Sequence, residues 1–207
     1  MHVNLTTGHH VHAKDLSNSI SFVCGSVIFV IALTGLFIYL LFIAIALGKH
    51  DFKKNSYFTM AGWLGVADCI CLVLMITYVT PSIILQKDLS NLKFIGGLLN
   101  IGWFTGLPLI LFLAVNRYLC ICHTDLYKRM FTLRKTRWYC IIALCFGILY
   151  SIPSFMDYSP LFFDYRMLSW QWDLHHHPVA KVISIGEIAI VIAVTLITYC
   201  LNTLTFK

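Results

Sequence analysis

Three charged side chains lie where the surrounding sequence leaves no room for water. Asp68 ends the stretch Trp63-Leu64-Gly65-Val66-Ala67-Asp68, Glu187 follows Ile183-Ser184-Ile185-Gly186, and Arg117 closes Phe112-Leu113-Ala114-Val115-Asn116-Arg117-Tyr118. A charge in hydrocarbon is costly, so each must face protein, reach a membrane edge, change protonation or hold an ion. At 1.5 Å per helical residue, Asp68 is about 16 Å into its apolar run, near the midplane of a bilayer. A carboxylate at that depth can bind a cation and water, or stay protonated and structural. Glu187 is about 12 Å into its own run. That depth suits a pocket open to the outside, where a ligand amine or hydroxyl could pair with it. It equally suits a buried acid hydrogen-bonded to a neighbouring helix. Arg117, flanked by Asn116 and Tyr118, stands at the end of its run, where an arginine can also simply snorkel to the interface.

The elements that must position these residues are apolar helices. The chain is 59% hydrophobic and only 12% charged, against about twice that share of charge in soluble domains. Five runs have spanning length: about residues 20–47, 57–84, 94–122, 138–156 and 179–201. The runs are continuous rather than alternating, which argues against a β-barrel. The linkers are short, so the expectation is one transmembrane domain over residues 1–207. The first 19 residues are polar and the run after them is too long for a signal-peptide core, so it stays in the membrane. The third run would make about 43 Å of helix against about 30 Å of hydrocarbon, so it must tilt or protrude. Pro108 should bend it. On its outer half Asn100, Trp103 and Leu107 recur at helical spacing and could line a ligand pocket, or could be ordinary packing residues.

The eight cysteines, Cys24, Cys69, Cys71, Cys120, Cys122, Cys140, Cys145 and Cys200, all fall in or at the ends of apolar runs. Their spacing gives neither a disulfide framework nor a zinc site. Cys120 and Cys122 could carry palmitate. Histidines cluster at His2, His9, His10, His12 and His175–His177; such groups can bind copper or zinc and titrate near neutral pH, but a solvated run is the plainer reading. No catalytic residue, metal, cofactor or nucleic-acid partner is expected, and the chain reads as no enzyme.

Orientation follows from lysine and arginine in the short linkers. Lys49, Lys53, Lys54, Lys128, Arg129, Arg134, Lys135 and Arg137 fall on one side. The other side has Lys14, Lys87, Lys93, Arg166 and Lys181, offset by Asp15, Asp88, Asp157, Asp164 and Asp173. The N-terminus is therefore expected outside and the C-terminus inside. Asn4-Leu5-Thr6 is a glycosylation sequon on the side read as outside. The basic linkers suit the anionic inner leaflet and could also meet an acidic partner surface.

Two of these features resemble rhodopsin-like seven-transmembrane receptors: Asn116-Arg117-Tyr118 at the inner end of the third run, and Leu64 followed by Asp68 in the second. A closer likeness runs from Asn100 to Ile152. Asn100-Ile101-Gly102-Trp103, Ala114-Val115-Asn116-Arg117-Tyr118, Tyr127-Lys128-Arg129-Met130-Phe131-Thr132 and Lys135-Thr136 look like the nematode serpentine chemoreceptors, Srx-type or a near relative. The resemblance implies an all-α bundle equivalent to the first five helices of such a receptor. It also implies a G-protein-coupled receptor for an environmental small molecule, sited in the plasma membrane and in sensory cilia. Asn116, Arg117 and Tyr118 would couple to a heterotrimeric G protein, Asp68 would hold sodium and water, and Asn100, Trp103 and Glu187 would face the ligand.

The chain departs from that pattern in three ways. Asn116 replaces the usual acid, and an amide cannot form an ion pair with Arg117. The usual disulfide from the third span to the next outer loop has no cysteines to make it. The sixth and seventh spans do not occur before Lys207. The last point leads to the expectation of an isolated chain that pairs with another receptor copy or does not signal. The rival from another class is a proton- or cation-coupled transporter or channel subunit using Asp68 and Glu187, although the paired repeats usual in transporters are not seen.

Overall fold

The computed structural model describes residues 18–49, 54–87, 93–156, 161–172 and 178–205. Among these residues, five helices are long and apolar enough to cross a bilayer. The first span is Asn18–Gly48. The second is built from Ser56–Leu74, a π-helical turn Met75–Val79 and Thr80–Leu85. The third, Lys93–Cys122, runs unbroken through Pro108. The fourth is Leu133–Ser151, prolonged by a 3-10 turn Ile152–Phe155. The fifth is Pro178–Thr205. A short helix, Thr124–Met130, lies between the third and fourth spans. Asn4 and the two histidine clusters fall outside the described residues.

Local chemistry sets the helix ends. Asn55 caps the second span, its side chain accepting from the Tyr57 N–H at 2.9 Å, which satisfies one orphan donor of the first turn. Thr132 caps the fourth, accepting from the Lys135 N–H at 3.5 Å. The fourth helix thus starts at Leu133, ahead of the hydropathy boundary at Trp138, because a capped turn carrying Arg134, Lys135 and Arg137 can stand outside hydrocarbon. In the second span Pro81 lacks an N–H and its ring crowds the preceding turn. The π turn just before it relieves that crowding, and the Thr80 hydroxyl donates to the Met75 carbonyl at 3.0 Å. Gln86 ends this span in the left-handed region, φ 49°. The Lys87 and Gln86 N–H groups return to the Ser82 and Ile83 carbonyls at 3.3 Å, a Schellman arrangement. The Gln86 amide then donates to Ser21 of the first span at 2.7 Å.

The third span is the hub, in contact with the second, fourth and fifth, while the first packs along the second. Close approach to the fourth depends on Gly147, where a Cβ would come within 2.8 Å of the Ile101 carbonyl. Two apolar cores result. One surrounds Met60, Leu109, Leu119, Phe131, Cys140 and Ala143 at the end carrying the basic linkers. The other joins Leu74, Tyr78, Ile83, Ile95 and Leu99 to Leu161, Phe163 and Trp172 at the opposite end.

That second core contains an element with no counterpart in the sequence reading. Strands β1 (Leu161–Asp164) and β2 (Ser169–Trp172) pair antiparallel, Leu161 opposite Trp172 and Asp164 opposite Ser169. The hairpin turns through the Asp164 carboxylate, which accepts from the Arg166 N–H at 2.8 Å, and through Leu168 at φ 49°. Leu161, Phe163 and Trp172 point into the bundle and are buried. The backbone of β1 lies directly on Gly96 of the third span, where a Cβ would overlap the Leu161 carbonyl.

Candidate functional site

At the basic end, the capped first turn of the second span meets the last turns of the third. Consecutive residues pair with consecutive residues. Asn116, buried, donates through Nδ2 to Ser56 Oγ at 3.2 Å. Ser56 Oγ in turn bonds the Tyr127 hydroxyl of the short helix at 3.1 Å. Arg117, exposed, donates through Nη2 to the Tyr57 hydroxyl, and its guanidinium carbon lies 5.1 Å from the centre of the Tyr57 ring. Tyr118 turns aside and meets His123 edge-on, ring centres 5.7 Å apart. A cavity of about 350 Å³ opens here, lined by Asn55, Tyr57, Asn116, Arg117, Cys120, Ile121 and Tyr127. Arg117 is the one charged residue in that lining. The wall can therefore receive a hydrogen-bond acceptor or a negative charge.

The short helix is held in place from below. Tyr127 stacks on Phe131, which meets Tyr139 edge-on. The Tyr139 hydroxyl donates to the Met130 carbonyl at 3.2 Å, and the Lys135 ammonium donates to the Arg129 carbonyl at 2.7 Å. Lys128, Arg129, Arg134 and Arg137 remain exposed around it.

Asp68 is half-buried in the second span, with its carboxylate facing the Tyr39 hydroxyl of the first. Gly65, one turn earlier, leaves room for the Tyr39 ring, with a Cβ there 3.3 Å from it. The intramembrane acid therefore sits at the seam of the first two spans.

At the hairpin end the proposed ligand-facing residues separate. Asn100 is 2% exposed and donates to Ser154 Oγ at 2.8 Å, fastening the third span to the 3-10 turn. Leu107 is buried as well, whereas Trp103 is 47% exposed on the outside of the bundle. At 100° per residue, Asn100 and Leu107 differ by only about 20° around the helix, while Trp103 stands about 60° from Asn100. A shared face for all three does not form. Glu187 is half-buried, and its Oε2 accepts from the indole N–H of Trp172 at 3.0 Å. One turn before it, the Tyr150 hydroxyl donates to the Ile183 carbonyl at 3.1 Å.

The partners Ser56, Tyr57, Tyr39, Ser154 and Trp172 are those that the sequence reading did not single out, and it named Tyr127 only within the stretch Tyr127–Thr132. Each is a polar or aromatic residue near a helix end, in an apolar run or, for Trp172, in the linker after the fourth run, common sorts of position that mark no pairing.

A family model described as "Serpentine type 7TM GPCR chemoreceptor Srx" matches residues 29–207. Among solved structures, the crystal structure of squid rhodopsin superposes with a TM-score of 0.77 at 13% identity. The match covers 93% of this chain and 54% of the rhodopsin chain, so the sequence spans about half the length of that protein. At that identity the likeness establishes the fold, a rhodopsin-like helical bundle.

Proposed function

The chain belongs to the Srx family of serpentine seven-transmembrane chemoreceptors, and from that premise we propose that it is the first five spans of a G-protein-coupled receptor for an environmental small molecule. It is a multi-pass membrane protein of receptor type, and the family membership displaces the transporter reading. The observation that carries the proposal is Arg117 in the wall of the cavity at the basic end. There, at the inner end of the hub helix, it is the charged group available to an incoming partner, with Asn116 and Tyr118 beside it. The partner in this reading is a heterotrimeric G protein on the cytoplasmic side.

The rest of the proposal follows from that assignment. The hairpin end faces outside, in the plasma membrane and in sensory cilia. Glu187 shapes the ligand site there with Trp172 as its companion, and Asn100 supports it from the third span through its hold on Ser154, while Trp103 faces away from it. Asp68 holds a cation and water beside Tyr39. Lipid chains fill the apolar groove of about 500 Å³ between the first two spans, and pairing with another receptor copy covers faces left to lipid.

The test uses two forms in parallel: residues 1–207, and the same residues joined to the sixth and seventh spans of another Srx receptor. Each is expressed in cells lacking related receptors and challenged with a panel of volatile and water-soluble small molecules while G-protein activation is recorded. The expected result is a ligand-dependent response from the joined form that Arg117→Ala abolishes at unchanged surface level. A response that survives Arg117→Ala overturns the coupling assignment.

A further inference from the structure

We propose that Tyr57 is the positioning residue that restrains Arg117 at rest, in place of the carboxylate that Asn116 cannot supply. The proposal rests on the reading of Arg117 as the coupling residue. Two independent contacts place the Tyr57 side chain on this arginine: the hydroxyl accepts from Nη2, and the ring lies under the guanidinium at 5.1 Å. Among the described residues these are the side-chain partners of Arg117. A guanidinium has five donors and no acceptor, so a tyrosine satisfies one of them and offers its π face to the charge.

Tyr57 is itself held. Its N–H is capped by Asn55 at 2.9 Å, and its ring meets Phe58 edge-on with centres 5.6 Å apart. The backbone that carries the restraint is therefore fixed to the first turn of the second span, and release of Arg117 needs only side-chain movement.

The neighbouring position does a separate job. Asn116 directs its amide away from Arg117 and into Ser56, which reaches Tyr127 of the short helix. In this chain the restraint on the arginine and the hold on the linker helix are split between adjacent residues of one turn: Tyr57 takes Arg117, and Ser56 takes Asn116. A hydroxyl and a ring restrain a guanidinium less than a carboxylate does, because a carboxylate adds a full opposite charge to the hydrogen bond. The resting state is accordingly soft, and an acceptor arriving in the cavity displaces the tyrosine without having to break an ion pair.

Two readouts separate this inference from the coupling reading. The first uses phenylglyoxal on residues 1–207 in lipid nanodiscs, with modification of Arg117 followed by mass spectrometry. Arg129, Arg134 and Arg137, all exposed, serve as internal references. Tyr57→Leu should raise the relative rate at Arg117 about two- to five-fold, the range expected for losing an exposed cation–π contact. Tyr57→Phe, which keeps the ring and is the milder change for folding, should give an intermediate rise. Ser56→Ala should leave the rate at Arg117 unchanged. A rate that does not move in either Tyr57 variant overturns the proposal.

The second readout is ligand-free guanine-nucleotide exchange on a purified G protein, using the seven-span joined form. Tyr57→Leu should raise basal exchange and Asn116→Asp should lower it. If the phenylglyoxal order holds while every form, wild type included, stays at background exchange, the restraint stands and the coupling reading falls. If Tyr57→Leu lowers exchange in a form that signals, Tyr57 is not a restraint.

Discussion

Trp172, the last residue of β2, donates its indole N–H to Glu187 of the fifth span across 3.0 Å. This one bond ties the hairpin to a helix that otherwise meets it lightly, and it explains how a carboxylate can sit inside an apolar run. Trp172 is 8% exposed, so its N–H has no easy recourse to water and needs an acceptor on the protein.

The two partners can be told apart by substitution. Glu187→Gln keeps an acceptor oxygen for the indole and removes the charge. Thermal stability should then hold to within about 1 kcal/mol, while ligand potency in the joined receptor shifts. Trp172→Phe keeps the ring but strands the carboxylate, and should cost about 1–3 kcal/mol. Lost surface expression in Glu187→Gln, with unchanged potency in the surviving receptors, would leave Glu187 a structural residue alone.

Gly96 answers for the missing disulfide. All eight cysteines are free, and the backbone of β1 instead rests on the third span at Gly96, which has no side chain to hold it off. Gly96→Ala should push the hairpin outward, at a cost of about 1–3 kcal/mol for an overpacked contact. Faster amide exchange confined to residues 161–172 is the expected signature. Unaltered exchange there would mean the hairpin is fixed by its buried side chains alone.

What a single sequence could disclose divides along physical lines. The five spans were legible because bilayer thickness turns directly into a run length. Asp68, Arg117 and Glu187 were legible because charge in an apolar run is rare. The hairpin was not, since Tyr165-Arg166-Met167-Leu168 carries no glycine, proline or asparagine; its turn is made by the Asp164 side chain and a strained Leu168. Nor were the partners Tyr39, Tyr57 and Trp172 legible. Each comes from a different span or loop, and the rotation of one helix against another is set by packing such as Gly147 on Ile101. The same rotation sets where the buried arc of the third span ends, so that Asn100 falls inside it and Trp103, about 60° away, falls outside.

Asp68 offers a test that needs no ligand. The carboxylate lies beside the Tyr39 hydroxyl, and a carboxylate has acceptor sites for a cation as well as for a hydroxyl. If it holds sodium, replacing potassium by sodium should stabilise the wild-type chain by about 1.4 kcal/mol at ten times Kd. Asp68→Asn should abolish that response. Tyr39→Phe keeps the charge and removes one donor, so the response should persist with a shifted midpoint. Equal melting temperatures in sodium and potassium for the wild type would exclude a sodium site at Asp68.

Orientation is the assignment on which the two ends of the molecule depend. Lys49 and Lys54, on either side of the first linker, share the basic end with Lys128, Arg129, Arg134, Lys135 and Arg137. Lysine and arginine in short linkers are held on the cytoplasmic side during insertion, and they then face anionic lipid headgroups. In the orientation proposed on that ground, the hairpin, Glu187 and the sequon at Asn4 lie outside. Expressed in a eukaryotic cell, the chain should carry one glycan that glycosidase removes, and Asn4→Gln should migrate like the deglycosylated form. A tag after Lys207 should be reached by antibody only once the cells are permeabilised. Staining of that tag on intact cells would invert the molecule. The Arg117 cavity would then open outward and the Glu187 site inward, ending the case for a G protein at Arg117.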